Sequence, residues 1–443
     1  MAADFGSTDN AVLVVVDPED DHEAHANTEE LRLLVDSAGG RLVDEMHVRR
    51  ETPDARFFIG RGNADEVFLR VQESSADLVI VGEDLSPTQQ RNLEEVATVR
   101  VVDRTQLILD IFARRARTSE GKLQVELAQL QYLLPRLTGR GVQMSRIGGG
   151  SAGGIATRGP GETKLETDRR RVRRRISVIK DELDEVVKRR AIQNKARRRL
   201  MIPNAALVGY TSAGKSTLLN LLSGSQLEAH LRLFATLDPT TRRVDLNGGA
   251  DPHGSDSHSI MLSDTVGFLR NLPHHLIAAF RATLEEVVEA DFLIHVVDAS
   301  HYFFEEQSRA VMEVLADLGV HDKPLITVFN KSDLVKDQYR LRKLVAETPY
   351  SCYMSALTGE GKQYLIRLID QVIASLARRV EAVIPYDRGD LVALCHERGR
   401  VFETDYRADG VFIRVELSRD LEARIANYRL DPEKPNGAKE PTA

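Results

Sequence analysis

The sequence predicts an α/β multidomain protein in which two α/β domains flank an antiparallel helical hairpin and a small α+β unit follows. Three observations support this. The 443-residue length exceeds one ordinary core. Short apolar runs alternate with amphipathic stretches in residues 11–112 and again in 203–382. Between these regions, apolar residues recur at steps of four and three, which is the spacing of packed helices.

The first α/β domain is predicted over residues 1–115. Its apolar runs have the length of buried strands, and the stretches between them have helical periodicity, which together favour a mainly parallel sheet. The runs are Ala11–Val16, Asp77–Val81 and Val99–Val102, with a weaker one at Arg41–Met46.

The helical hairpin is predicted over residues 116–200. Its two arms carry the heptad series Leu123, Leu127, Leu130, Leu134, Leu137 and Val172, Ile176, Ile179, Leu183, Val186. Nine glycines lie within residues 139–161, too many for a packed core segment. A Gly-rich basic loop over 139–168 is therefore expected at the tip.

The hairpin is also the basic part of an acidic chain. Residues 139–200 hold 18 Lys and Arg and 7 Asp and Glu, although the whole chain has a net charge of −7. Arg169–Arg175, beside the glycine-rich loop, is predicted to contact a polyanion such as RNA. For Arg197–Arg199, a solvated helix face is an equally good interpretation. Residues 139–175 contain no aromatic side chain, which excludes base stacking on aromatic rings there.

A P-loop nucleotide-binding domain is predicted over residues 201–382. The pattern GxxxxGK[ST] follows the apolar run Ala205–Val208 and precedes a helical run. Backbone N–H groups of such a loop bind phosphate, Lys215 is placed to reach the β- and γ-phosphates, and Ser216 to ligate Mg²⁺. The predicted loop residues are Gly209, Tyr210, Thr211, Ser212, Ala213, Gly214, Lys215 and Ser216.

A second motif ends the apolar strand Ile260–Leu262 and consists of Asp264, Thr265, Val266 and Gly267. Asp264 is expected to hold Mg²⁺ through a water, and Gly267 to bring its N–H to the γ-phosphate. A hydroxyl between the two motifs is expected to complete the Mg²⁺ shell. The candidate segment is Phe234, Ala235, Thr236, Leu237 and Asp238, with Thr240 and Thr241 as alternatives on spacing.

Two later motifs predict recognition of guanine. The carboxylate of Asp333 is suited to accept two hydrogen bonds from the N1–H and N2–H₂ edge, which adenine lacks. A backbone N–H of the second motif is expected on guanine O6. The motifs are Asn330, Lys331, Ser332, Asp333 and then Ser355, Ala356, Leu357. Together with the P-loop they predict a GTPase.

The residue after Gly267 is Phe268. In Ras-like switches a glutamine at this position orients the attacking water, and a phenyl ring neither donates nor accepts a hydrogen bond. Intrinsic hydrolysis is therefore expected to be slow until a partner supplies the missing group.

A small α+β unit is predicted over residues 383–430, before a disordered tail at 431–443. Its strand patterns are Leu391–Leu394, Val401–Tyr406 and Val411–Leu417, and Leu421–Tyr428 has a helical pattern. The only cysteines are Cys352 and Cys395, which suits a reducing cytoplasm. No apolar run approaches a membrane span.

Long segments outside the nucleotide motifs carry a family resemblance. They are Asp103–Thr105, Ile111–Ala116, Glu120–Leu137 and Gly148–Arg171. With Gly209–Ser216, Phe234–Asp238 and Asp264–Phe268, they resemble the HflX GTPases of the translation-factor-related class. The C-terminal unit is not universal in that family, and residues 247–259 form a longer connection than it needs.

The resemblance implies a ribosome-associated GTPase that binds chiefly the large subunit and its RNA, and separates the subunits of stalled or idle ribosomes. It also implies Thr236 as the switch Mg²⁺ ligand. With the motifs above, this predicts Mg²⁺ with bound GTP or GDP, and Lys215, Thr236 and Gly267 as the catalytic set. A cytoplasmic monomer is expected. The alternatives are a ribosome- or RNA-binding module with nucleotide as a structural switch, and a P-loop ATPase or kinase, against which Asp333 argues.

Overall fold

The computed structural model describes most of the chain. The described residues are 9–17, 21–49, 52–137, 160–199, 202–224, 234, 238–246, 259–270, 284–320, 322–376, 378–417 and 419–430. The predictions for residues 139–159, 235–237, 247–258 and the 431–443 tail lie outside these ranges. Within them, no helix combines the length and apolar composition that crossing a bilayer requires.

The N-terminal region is a parallel four-stranded sheet with helices on both faces. The strand order is β2-β1-β3-β4. Alternate residues of β1 enter two cores: Leu13 packs with α1 and α4, whereas Val14 packs with α2 and α3. The elements are β1 Asn10–Asp17, α1 Asp21–Ala38, β2 Arg41–Arg49, α2 Arg61–Ser74, β3 Leu78–Val81, α3 Pro87–Ala97, β4 Arg100–Val102 and α4 Arg104–Arg115.

The hairpin consists of α5 (Ser119–Arg136) and α6 (Pro160–Arg199), which pack on each other. Thr118 caps α5 by accepting a hydrogen bond from the N–H of Gly121. Arg175 of α6 binds Glu126 of α5 through two hydrogen bonds of 2.7 Å. Because α6 begins at Pro160, residues 160–168 are helical, and the prediction of a loop over 139–168 was wrong for this stretch.

The P-loop region contains a six-stranded sheet of order β10-β9-β8-β5-β7-β6, parallel except for the edge strand β6. Its central strands are buried, and their carboxyl ends meet at the edge where ligands bind in such sheets. The elements are β5 Asn204–Gly209, α7 Lys215–Ser223, β6 Thr240–Asp245, β7 Ser259–Asp264, α8 Glu285–Glu289, β8 Phe292–Asp298, α9 Phe304–Asp317, β9 Leu325–Asn330, α10 Gln338–Glu347, β10 Ser351–Tyr353 and α11 Lys362–Leu376.

The C-terminal region is an antiparallel sheet of order β11-β13-β12 with two helices. The predicted strand Leu391–Leu394 was wrong, because these residues lie in a helix. The elements are β11 Arg378–Ile384, α12 Gly389–Arg398, β12 Arg400–Arg407, β13 Gly410–Leu417 and α13 Arg419–Ile425. The multidomain α/β fold class is confirmed, and the domain boundaries stay predictions.

Candidate nucleotide site

The P-loop forms a tight turn between β5 and α7. Three of its residues have left-handed backbone, with φ of 154° at Gly209, 59° at Ser212 and 98° at Gly214. A Cβ at Gly209 would lie 2.3 Å from the carbonyl oxygen of Val296, so only glycine fits this exit from the strand. The turn is the strand-to-helix setting that a phosphate-binding loop requires.

Lys215 is the first residue of α7 and is 6% exposed. Its Nζ donates hydrogen bonds to the carbonyl oxygens of Gly209 at 3.0 Å and Tyr210 at 2.8 Å. Burial lowers the pKa of Lys215 to about 8. A phosphate group beside the amine would favour its charged form, so the site is poised to bind an anion.

Ser216 and Asp264 bring a hydroxyl and a carboxylate together where α7 meets the end of β7. The Ser216 hydroxyl donates to Oδ2 of Asp264 at 2.5 Å, and Asp264 is 1% exposed. Such oxygen atoms are the ligands that Mg²⁺ prefers. Thr211 Oγ1 is buried nearby in the P-loop without a hydrogen-bond partner among the described residues. A bound ligand would be expected to satisfy it.

Gly267 lies directly on the P-loop. The N–H of Thr211 donates to the carbonyl of Phe268 at 2.9 Å, and the N–H of Phe268 donates to the carbonyl of Gly209 at 3.1 Å. A Cβ at Gly267 would lie 2.9 Å from the Cα of Thr211 and 3.1 Å from Nζ of Lys215. Because Gly267 has no side chain, the second motif can lie in contact with the phosphate loop.

The ring of Phe268 is part of the protein core. It is 2% exposed and belongs to the cluster that contains Tyr210, Phe234 and Phe112. The side chain after the motif glycine is thus used for packing, which gives a structural reason for phenylalanine at this position.

Asn330 joins the P-loop to the loop after β10. Its Nδ2 donates to the carbonyl of Ala213 at 2.8 Å, and its Oδ1 accepts from the N–H of Ala356 at 2.9 Å. A Cβ at Gly214 would lie 2.3 Å from the same Nδ2. Asn330 therefore links the predicted phosphate-binding and base-binding segments and fixes their relative position.

The other residues of the predicted base site differ in their exposure to solvent and in their hydrogen bonds. Asp333 is exposed in the short 3₁₀ helix Ser332–Leu334, whose Ser332 Oγ is buried without a described hydrogen-bond partner. Lys331 Nζ donates to Oδ2 of Asp298 at 2.6 Å. The N–H of Ser355 donates to the Glu360 carbonyl. Since Ala356 donates to Asn330, Leu357 remains the candidate N–H donor to guanine.

The segment predicted to bind Mg²⁺ is described only at Phe234 and Asp238, because Ala235, Thr236 and Leu237 lie outside the described residues. Phe234 is buried against Phe112, with ring centroids 4.5 Å apart. The carboxylate of Asp238 binds the N-terminus of α5, not the P-loop. The carboxylate of Asp238 is thus engaged by Arg117 and Thr118, and its contact with nucleotide stays a prediction.

A polar network that the sequence analysis missed joins the P-loop to the N-terminal region. The hydroxyl of Tyr210 donates to the carboxylate of Glu30 and accepts from the N–H of Arg270 at 3.0 Å. Arg104, 4% exposed, pairs with the same carboxylate and donates to the Arg270 carbonyl at 3.0 Å. Burial raises the pKa of Tyr210 well above its usual value, so the phenol keeps its proton.

Comparison with known proteins places these motifs in a family. Residues 25–113 match the family described as GTP-binding GTPase N-terminal, and 115–197 match GTP-binding GTPase Middle Region. Residues 204–331 match the family described as 50S ribosome-binding GTPase. A protein named GTPase HflX from Caldanaerobacter subterraneus subsp. tengcongensis is 42% identical over 417 residues, covering 94% of this chain and 92% of the relative.

The chain belongs to the HflX GTPase family. The GTPase HflX of Escherichia coli K12 is 40% identical over 388 residues, which cover 87% of this chain and 88% of that protein. A solved GTP-binding protein from Sulfolobus solfataricus in complex with GDP is 26% identical, with a TM-score of 0.43, and covers 83% of this chain and 99% of that one. Membership of the HflX family confirms the resemblance and makes this chain a GTP-binding protein that hydrolyses GTP.

Asp333 is predicted to recognise the guanine base through its carboxylate. Asp333→Asn is expected to lower the affinity for guanine nucleotides about tenfold to hundredfold, because an amide accepts only one of the two donated hydrogen bonds well. Competition binding with xanthosine and inosine nucleotides measures the change in discrimination. Asp337→Asn, in which Asp337 caps α10, is the matched control. If Asp333→Asn rejects both analogues as the parent does, Asp333 does not read the base.

Proposed function

We propose that this GTPase binds the ribosome, chiefly its large subunit, and uses GTP binding and hydrolysis to separate the subunits of stalled or idle ribosomes. The observation that carries the proposal is the basic helix α6, which adjoins a nucleotide domain of a family described as ribosome-binding. A cytoplasmic monomer is the proposed working form.

In this proposal, the P-loop holds the phosphates and Lys215 moves from its two carbonyl partners to the β- and γ-phosphates. Ser216 and Thr236 would ligate Mg²⁺ directly and Asp264 would hold it through a water; the ion would neutralise charge on the phosphates. The N–H of Gly267 would contact the γ-phosphate, so that contact would exist only in the GTP state.

The RNA-facing surface is proposed to be the arginine-rich start of α6. Arg175 pairs with Glu126 and helps to join the two helices, so it is not counted in this surface. Arg170, Arg171, Arg173 and Arg174 are exposed. Guanidinium groups at such positions can neutralise phosphates and release counterions.

The second prediction tests this function. Large ribosomal subunits are expected to accelerate single-turnover GTP hydrolysis at least about tenfold, a transition-state stabilisation of roughly 1.4 kcal/mol. The physical reason is that the buried Phe268 ring cannot orient water, so a ribosomal element must complete the site. Co-sedimentation with isolated subunits in GTP, GDP and a non-hydrolysable analogue measures the binding.

Replacing the four exposed arginines by alanine should weaken subunit binding and flatten its dependence on salt, because fewer counterions are released. Stimulation of GTP hydrolysis should recover as the concentration of large subunits is raised, while the rate of hydrolysis without ribosomes stays unchanged. A charge-matched control replaces Arg340, Arg342, Lys343 and Arg367, which are exposed elsewhere. Fast hydrolysis without ribosomes, or an arginine variant with the parent's affinity and salt slope, would contradict the scheme.

A further inference from the structure

Thr211, the third residue of the P-loop, has a buried hydroxyl that finds no hydrogen-bond partner among the described residues. The residue as a whole is 7% exposed. A buried hydroxyl without a partner is unfavourable, and native structures pair such groups with protein, water or ligand. Since the described part of the chain offers no acceptor, the hydroxyl of Thr211 indicates a bound group that accepts a hydrogen bond.

The backbone of Thr211 is already engaged within the protein. Its N–H donates to the carbonyl oxygen of Phe268 at 2.9 Å, and the N–H of Phe268 donates to the carbonyl oxygen of Gly209 at 3.1 Å. These two hydrogen bonds hold the start of the P-loop against the residue that follows Gly267. The donor that Thr211 can offer to a bound phosphate is therefore its side-chain hydroxyl and not its N–H.

The side chain of Thr211 lies beside Gly267. A Cβ built at Gly267 would lie 2.8 Å from Cγ2 and 2.9 Å from Cα of Thr211, and 3.1 Å from Nζ of Lys215. Thr211 and the amine of Lys215 are thus both close neighbours of the glycine whose N–H is proposed to contact the γ-phosphate. Three kinds of donor meet here: a backbone N–H, an ammonium group and a neutral hydroxyl.

Such a set of donors suits a group that carries negative charge on several oxygens. The γ-phosphoryl group of GTP has three terminal oxygens, over which charge is spread as the group is transferred. During hydrolysis the water oxygen bonds to the γ-phosphorus, while the bond to the β–γ bridging oxygen breaks and its electron pair leaves with GDP. The Thr211 hydroxyl keeps its proton throughout and contributes a hydrogen bond.

We propose that Thr211 is a further catalytic residue, whose hydroxyl donates a hydrogen bond to an oxygen of the γ-phosphate of GTP. The inference rests on the proposed function only in placing the γ-phosphate beside Gly267 and Lys215. GDP has no γ-phosphate and leaves the hydroxyl without this acceptor, so the contact distinguishes GTP from GDP. It also stabilises the phosphoryl group during transfer, which the ring of Phe268 cannot do.

The test uses the full-length protein without ribosomes and compares Thr211→Val, which keeps the side-chain volume but loses the donor, with Thr211→Ser, which keeps the donor. Single-turnover hydrolysis is measured at saturating GTP, and GDP and a non-hydrolysable GTP analogue are titrated. Thr211→Val should slow hydrolysis about tenfold to hundredfold and weaken analogue binding about fivefold, with GDP affinity within about twofold. Thr211→Ser should stay within about threefold of the parent in all three measurements.

Thr28→Val is the matched control. Thr28 is also buried, but its hydroxyl donates to the carbonyl of Ala24 at 2.9 Å within α1, outside the phosphate site. This variant should change neither hydrolysis nor nucleotide affinity. Thermal unfolding checks the fold of each variant, and if Thr211→Val unfolds well below the parent, Thr211→Ala replaces it in the comparison with Thr211→Ser.

Three results would overturn the inference. They are hydrolysis at the parent's rate in Thr211→Val at saturating GTP, an equal loss in Thr211→Ser, which would assign the effect to packing of the methyl group against Gly267, and an equal loss of GDP affinity. Lys215→Ala separates this failure from that of the phosphate site. If Lys215→Ala loses both nucleotides while Thr211→Val behaves as the parent, only the role of Thr211 is wrong; if Lys215→Ala binds both normally, the phosphate site is misassigned.

Discussion

Lys215→Ala is expected to lower the affinity for both GTP and GDP about a hundredfold to a thousandfold. The P-loop keeps its backbone N–H groups but loses the buried amine that lies within 3.0 Å of two loop carbonyls. Two lost charge-assisted hydrogen bonds to phosphate, at about 1.5–2 kcal/mol each, account for a loss of about 3–4 kcal/mol, which is the expected range. Titration calorimetry of the full-length protein measures it.

Lys362→Ala is the matched control for this variant. Lys362 also donates from Nζ to a backbone carbonyl of the same domain, that of Leu221 at 3.1 Å, but it lies outside the predicted phosphate site. It should leave nucleotide affinity unchanged, and thermal unfolding of both variants would show whether a loss of binding comes from a loss of folding. Near-normal affinity in Lys215→Ala would reject the assignment of the phosphate site.

The fold could be predicted where the periodicity extends over several residues. The strand runs of β1 and the four-three spacing of α5 are examples. The prediction failed at Leu391–Leu394, since four apolar residues do not distinguish a period of 2 from one of 3.6. In α12, Leu391 and Cys395 are both buried in the C-terminal core, and this i, i+4 pair gives the helical face.

The nucleotide motifs could be predicted because each is local in sequence and follows a strand of its own. The contact between Tyr210 and Glu30 could not, because 180 residues separate them and no local sequence pattern links the two. The same holds for Gly121, where a Cβ would lie 2.3 Å from Oδ1 of Asp238, a residue distant in sequence. Local spacing thus predicts the phosphate and base sites, whereas the contacts that join these motifs to the rest of the chain are visible only in the fold.

Gly267→Ala is expected to slow GTP hydrolysis about a hundredfold, with GDP affinity within about fivefold of the parent. The added Cβ would lie 2.8 Å from Cγ2 and 2.9 Å from Cα of Thr211, closer than a Cβ normally approaches backbone, so the motif must move off the P-loop. A displacement on the order of 1 Å at a reacting group costs about a hundredfold in rate. GDP is affected less because the N–H of Gly267 is proposed to contact the γ-phosphate.

Single-turnover hydrolysis and GDP titration measure the two effects of Gly267→Ala. Gly62→Ala is the control, because an added Cβ at Gly62 meets nothing within 4 Å. Hydrolysis at the parent's rate would show that Gly267 does not act at the γ-phosphate, and an equal loss of GDP affinity would show that the variant disrupts the whole phosphate loop.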